Sequence, residues 1–75
     1  MHEVATSLMR STPNWTELAT SDANFAFQYQ DALMTIFPDG SWRCVIPQGL
    51  TEAISQGNVN NLDQFLKAFA LANPL

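Results

Sequence analysis

Residues 32–46 constrain the fold most, because two β-prone runs flank Pro38-Asp39-Gly40 there: Ala32-Leu33-Met34-Thr35-Ile36-Phe37 and Ser41-Trp42-Arg43-Cys44-Val45-Ile46. Proline pre-sets φ for the leading corner of a type I turn, and glycine supplies the left-handed residue after it. A three-residue loop of this kind closes a hairpin with a bulge at the glycine. The predicted hairpin, 32–37 with 41–46, sets Phe37 opposite Ser41, Ile36 opposite Trp42, Met34 opposite Cys44 and Ala32 opposite Ile46. One face then carries Ala32, Met34, Ile36, Trp42, Cys44 and Ile46, all apolar. The other carries Leu33, Thr35, Phe37, Ser41, Arg43 and Val45, which is mixed. A two-residue Asp39-Gly40 loop would pair Ile36 with Arg43 and scatter the apolar set, so turn chemistry and patterning select the same register.

Upstream, Phe25, Phe27 and Tyr29 alternate with Asn24, Ala26, Gln28 and Gln30, a period-two pattern that predicts a third strand over 24–30. The competing reading is a helix capped by Ser21-Asp22, with Phe25, Tyr29, Ala32 and Ile36 on one face. Strict alternation of three aromatic side chains favours the strand. A bulge near Gln30-Asp31 would bring them into phase with Ala32, Met34 and Ile36.

Short helices are predicted near the N-terminus. Residues 3–10 place Val4 and Leu8 four apart, with Ala5 and Met9 beside them, an early Glu3 and a late Arg10, which complements the helix dipole. Pro13 breaks the pattern, and Asn14 followed by Glu17 has the capping-box spacing for a second helix over 15–20. Residues 50–56 read as a short helical turn ended by Gly57. A C-terminal helix over 62–72, with Asn61 as cap and Gln64 three residues on, stacks Leu62, Phe65, Leu66, Phe69 and Ala70 in a stripe. The fold class that follows is α+β: a small antiparallel sheet packed against the C-terminal helix, in one small globular domain.

Chemistry is sparse. Cys44 is the only cysteine and His2 the only histidine among 75 residues, so a disulfide within the chain is impossible and no structural zinc site is expected. The net charge of −4 comes from seven acids against Arg10, Arg43 and Lys67. So few scattered cations argue against direct nucleic-acid binding and against an acidic membrane surface. No run approaches a membrane span, and Met1-His2-Glu3-Val4 lacks the basic start of a secretory signal. A soluble cytoplasmic chain without cofactors is expected.

Each candidate site has an ordinary explanation. The predicted register points Cys44 into the core beside Met34 and Trp42, where a thiol acts as a small hydrophobe. Turn preference explains Asp39, whereas Asp31 is less well explained and is the one candidate for acid–base work. Phosphate loops, nucleophile elbows and paired metal-ligand motifs are absent from the sequence. The candidate interaction surface is Trp15 with Leu33, Thr35, Phe37, Arg43 and Val45, since arginine among aromatics is typical of binding hot spots. The N-terminal helices are expected to cover the mixed sheet face, in preference to a second chain. These readings favour a non-enzymatic, acidic protein-interaction module, a regulator or accessory subunit that binds another protein and also itself as a homodimer. Two alternatives are an acidic nucleic-acid mimic, which needs carboxylates clustered on one face, and a small-ligand carrier with an aromatic-lined pocket.

Overall fold

The computed structural model describes residues 1–20 and 22–75. Helix α1 (Glu3–Ser11) leads into five strands, β1 (Thr16–Leu18), β2 (Phe25–Tyr29), β3 (Ala32–Ile36), β4 (Trp42–Gln48) and β5 (Thr51–Gly57), and helix α2 (Val59–Ala72) closes the chain. The strands form one antiparallel sheet in the order β1-β2-β3-β4-β5. The architecture is α+β, with five strands where the sequence predicted three.

The central hairpin has the predicted register, with Ile36 opposite Trp42 and Met34 opposite Cys44. Gly40 N–H donates to Phe37 O at 2.9 Å, and Phe37 N–H donates to Ser41 O at 2.9 Å. Gly40 has φ +90, the conformation required of it in the bulge. The carbonyl of Met1 would lie 2.7 Å from a Cβ at this position, so glycine also lets the N-terminus approach the turn. Asp39 Oδ1 accepts from Ser41 N–H at 2.9 Å and from Ser41 Oγ at 2.6 Å.

The alternating aromatic stretch is strand β2, and the helical alternative is excluded over Phe25–Tyr29; Ser21, half of its proposed cap, lies outside the described residues. Phe25 faces Ile36, Phe27 faces Met34 and Tyr29 faces Ala32. A two-residue Gln30-Asp31 turn, with Gln30 at φ +52, achieves this phasing where a bulge was expected.

Three local expectations fail, each for a physical reason. Residues 15–20 are not a helix. Asn14 sits at φ +75, a left-handed conformation that asparagine tolerates and an N-cap does not use. It turns the chain so that Thr16–Leu18 pairs with β2. Residues 50–56 are not a helical turn either. Gly49 at φ +65 opens a two-residue Gly49-Leu50 loop, and Thr51–Gly57 pairs with β4 along its whole length. The C-terminal helix starts before 62, because its cap is Asn58 rather than Asn61. Asn58 Oδ1 accepts from Asn60 N–H at 2.9 Å, and Asn61 Oδ1 accepts from Asn58 N–H at 3.0 Å. Trp42 Nε1–H donates to Asn58 O at 2.9 Å and to Asn61 Oδ1 at 3.2 Å, which ties the start of α2 to the sheet.

Both helices pack on the same side of the sheet. Ala5 and Met9 of α1 and Leu62, Leu66 and Phe69 of α2 share one buried cluster with Phe27, Tyr29, Ala32, Met34, Ile36, Trp42 and Cys44. The buried stripe of α1 is Ala5, Thr6 and Met9, with Leu8 packed half-buried beside it, so of the four apolar residues expected together only Val4 is left exposed. Arg10 fixes α1 to β1 through two hydrogen bonds to Glu17, at 2.9 and 3.0 Å. At the far end of α2, the Tyr29 hydroxyl donates to the Asn73 carbonyl. No helix among the described residues is long and apolar enough to cross a membrane.

Candidate functional site

With both helices on one side, no helix or strand among the described residues covers the other side of the sheet, which overturns the expectation of intramolecular cover. Cross-strand partners share a face, so the register defines what this open face presents. One row runs Thr16, Gln28, Leu33, Val45, Ile54. The next runs Leu18, Ala26, Thr35, Arg43, Gln56. Phe37 stands beyond the second row, with the Arg43 guanidinium carbon 5.6 Å from its ring centroid. Such a cation–π contact at an exposed site contributes about 0.5–1 kcal/mol and holds the guanidinium flat on the ring. Leu33 is 40% exposed and Ile54 59% exposed, whereas Thr35, Phe37 and Val45 are half-buried.

The structure thus brings together Leu33, Thr35, Phe37, Arg43 and Val45 and removes Trp15 from their company. Trp15 lies on the helix side, with its ring centroid 5.4 Å from that of Tyr29 and 5.3 Å from that of Phe69. It was misplaced because the helix predicted for it does not form. Ile54 and Leu18 join the face and were missed, since β1 and β5 were not read as strands; Ala26 joins it from β2, on the side of the predicted strand opposite its aromatics.

Arg43 and, opposite Pro47, the exposed Glu52 are the charged residues of the described strands on this face, and the remaining charges lie elsewhere. Arg10 pairs with Glu17, Lys67 with Asp63 at 2.9 Å, and the N-terminal amine with Glu3 at 2.6 Å. Asp22 accepts from Asn24 N–H in a loop. The Ser41 hydroxyl and N–H hold the Asp39 carboxyl below its usual range, and the Arg10 hydrogen bonds do the same for Glu17. Asp31 is exposed in the β2–β3 turn, beside a small depression of about 130 Å³ that Tyr29, Ala32, Pro47 and Phe69 also line. Among the described residues no three His, Cys, Asp or Glu side chains are grouped to hold a metal ion. Cys44 is buried in the core as expected, and burial pushes its thiol up to about 11.

Two larger depressions, both on the helix side, are open grooves. One of about 340 Å³ lies between the end of α1 and α2, along Leu8, Pro13, Leu66 and Ala70. The other, about 310 Å³, runs between β5 and α2 along Trp42, Ser55, Phe65 and Ala68. No protein-family model matches this chain, and no curated protein or solved structure is significantly similar to it.

Proposed function

We propose that this chain is a non-enzymatic, acidic protein-interaction module, a regulator or accessory subunit, and that its docking surface is the open face of the sheet. The observation that carries this reading is the uncovered row Leu33–Val45–Ile54 beside an arginine laid over Phe37. An apolar strip edged by threonine, glutamine, Glu52 and Arg43 has the make-up of a protein-binding patch: an apolar centre, a polar rim and an arginine anchor. Burial of the area that Leu33, Val45 and Ile54 still expose would supply about 1 kcal/mol per side chain, since each is already partly covered. A single buried thiol suits a reducing, cytoplasmic setting. The dispersed, partly ion-paired carboxylates do not favour the nucleic-acid mimic. The grooves flanking α2 are open to solvent, which does not favour the small-ligand carrier.

Hydroxyl-radical footprinting of the protein alone and in an extract of its own cells tests the proposal. Leu33, Phe37, Val45 and Ile54 are expected to lose labelling in the extract, while exposed Val4 and Leu71 on the helices keep theirs. Unchanged labelling of the four face residues, or loss confined to the helices, would overturn it.

A further inference from the structure

The two edges of the sheet are built differently. At one edge β1 has only three residues, which is one of the ways proteins blunt an edge. At the other, β5 is seven residues long, pairs with β4 without a bulge over its whole length, and contains neither lysine nor proline. The two-residue hairpin loop makes Gln48 and Thr51 a hydrogen-bonded pair, so Ala53, Ser55 and Gly57 also bond to β4. Pro47 fits this phasing, because it stands opposite Glu52 in a non-bonded pair and owes β5 no N–H. The main-chain N–H and C=O groups of Glu52, Ile54 and Gln56 therefore point outward along a free edge.

We infer that β5 pairs antiparallel with β5 of a second copy of this chain, joining two five-stranded sheets into one continuous sheet. Ile54 is the central residue of Thr51–Gly57. A two-fold axis there sets Ile54 of one copy against Ile54 of the other, Glu52 against Gln56 and Ala53 against Ser55. No like charges meet, and the outward groups close about six main-chain hydrogen bonds. The apolar row Leu33–Val45–Ile54 ends on this edge, so pairing continues it through Ile54, Val45 and Leu33 of the second copy. On the helix side the residues at the seam are small (Ala53, Ser55), and the groove along Trp42, Phe65 and Ala68 opens beside the same strand. The edge is about 24 Å long and about 10 Å deep, or roughly 240 Å² per copy, against about 800 Å² per partner in a standard interface. The dimer is accordingly dissociable, and its function is to present one doubled docking face. The inference deepens the protein-binding reading by naming one partner.

Sedimentation equilibrium over a dilution series, combined with residue-resolved hydrogen exchange, tests it. The mass is expected to rise with concentration from 8.3 kDa towards twice that value. The amides of Glu52, Ile54 and Gln56 should gain protection in step with the mass, while those of Ala53 and Ser55 are protected throughout. Gln56→Pro removes an outward N–H that β4 does not use, and Ile54→Lys places a charge at the seam. Both variants should stay monomeric at every concentration with the thermal midpoint of the dilute parent. A mass of 8.3 kDa throughout would overturn the inference and leave the protein-binding reading to the footprinting result. A dimer that leaves the three outward amides unprotected would also overturn it, and if Val45→Asp dissolved that dimer the open face itself would be the interface.

Discussion

Gly57→Ala perturbs the junction between β5 and α2 at a single methyl group. A Cβ at residue 57 would come within 2.6 Å of Asn61 Nδ2 and 2.8 Å of its Cγ. Both distances are shorter than any real contact, so the Asn61 side chain must leave. It would give up the bond from Asn58 N–H at 3.0 Å and the longer of the two from Trp42 Nε1 at 3.2 Å. Trp42 keeps Asn58 O as a partner at 2.9 Å, so no buried donor is orphaned. Loss of the reciprocal half of the capping box and of one shared bond costs about 1–2 kcal/mol. The φ of Gly57 is not positive, so alanine adds no backbone strain there. Its lower unfolded-state entropy returns about 0.5 kcal/mol. The net loss is then about 1 kcal/mol, which lowers the thermal midpoint of a domain this size by roughly 4–8 °C. Denaturant unfolding of the parent, Gly57→Ala, Asn61→Ala and the double variant checks the assignment. In the Asn61→Ala background the amide it would strike is gone, and the added methyl should become neutral or slightly stabilising. An equal loss in both backgrounds would refute the account of this junction.

Three further outcomes are expected. Phe27 is fully buried in the centre of the sheet, so Phe27→Ala should cost about 3–5 kcal/mol, much of the stability of a small domain, and calorimetry should find it largely unfolded at 37 °C. Native Cys44 should resist thiol reagents at pH 8, since burial holds it protonated up to about 11, and should label only as fast as the protein unfolds; rapid stoichiometric labelling of the folded protein would contradict its placement. The carboxyls of Glu17 and Asp39 are lowered on folding, so their contribution is present above the ordinary values of 4.5 and 3.8 and is lost as pH falls through the folded values. Urea unfolding between pH 6 and pH 2 should show that acid limb, and Glu17→Gln should make it shallower.

The hairpin was legible because two independent signals, the Pro38-Asp39-Gly40 turn and the apolar alternation, demand one register. Strand β2 was legible for the same reason, its aromatics falling on every second residue. Strand β5 was not. Its core-side positions are Ala53, Ser55 and Gly57, and these small residues leave no apolar period to detect. At Gly57 the Asn61 side chain occupies the place a Cβ would take, and that contact comes from elsewhere in the chain. Asn14 misled for a related reason. Its side chain suits a cap and its backbone suits a left-handed turn, and pairing of Thr16–Leu18 with β2 selected the turn. Five of the six candidate residues share a face because the hairpin register alone assigns them to it. That the face stays uncovered depends on where α1 packs, which its amphipathic pattern does not encode: both Val4–Leu8 and Ala5–Met9 have helical spacing.

The central claim is that this open sheet face binds protein, and the most direct measurement is the native mass of the protein isolated from its own host under mild conditions, compared with Val45→Asp and with Leu71→Asp. Val45 lies mid-face, between Leu33 and Ile54, and Leu71 is an 85% exposed residue of α2 on the opposite side. The account predicts a defined complex with a further protein for the parent and for Leu71→Asp, and only this chain, as the 8.3 kDa monomer or its β5-paired dimer, for Val45→Asp, with all three folded by circular dichroism. A complex that survives Val45→Asp and is lost in Leu71→Asp, or a parent that holds only this chain, would contradict it.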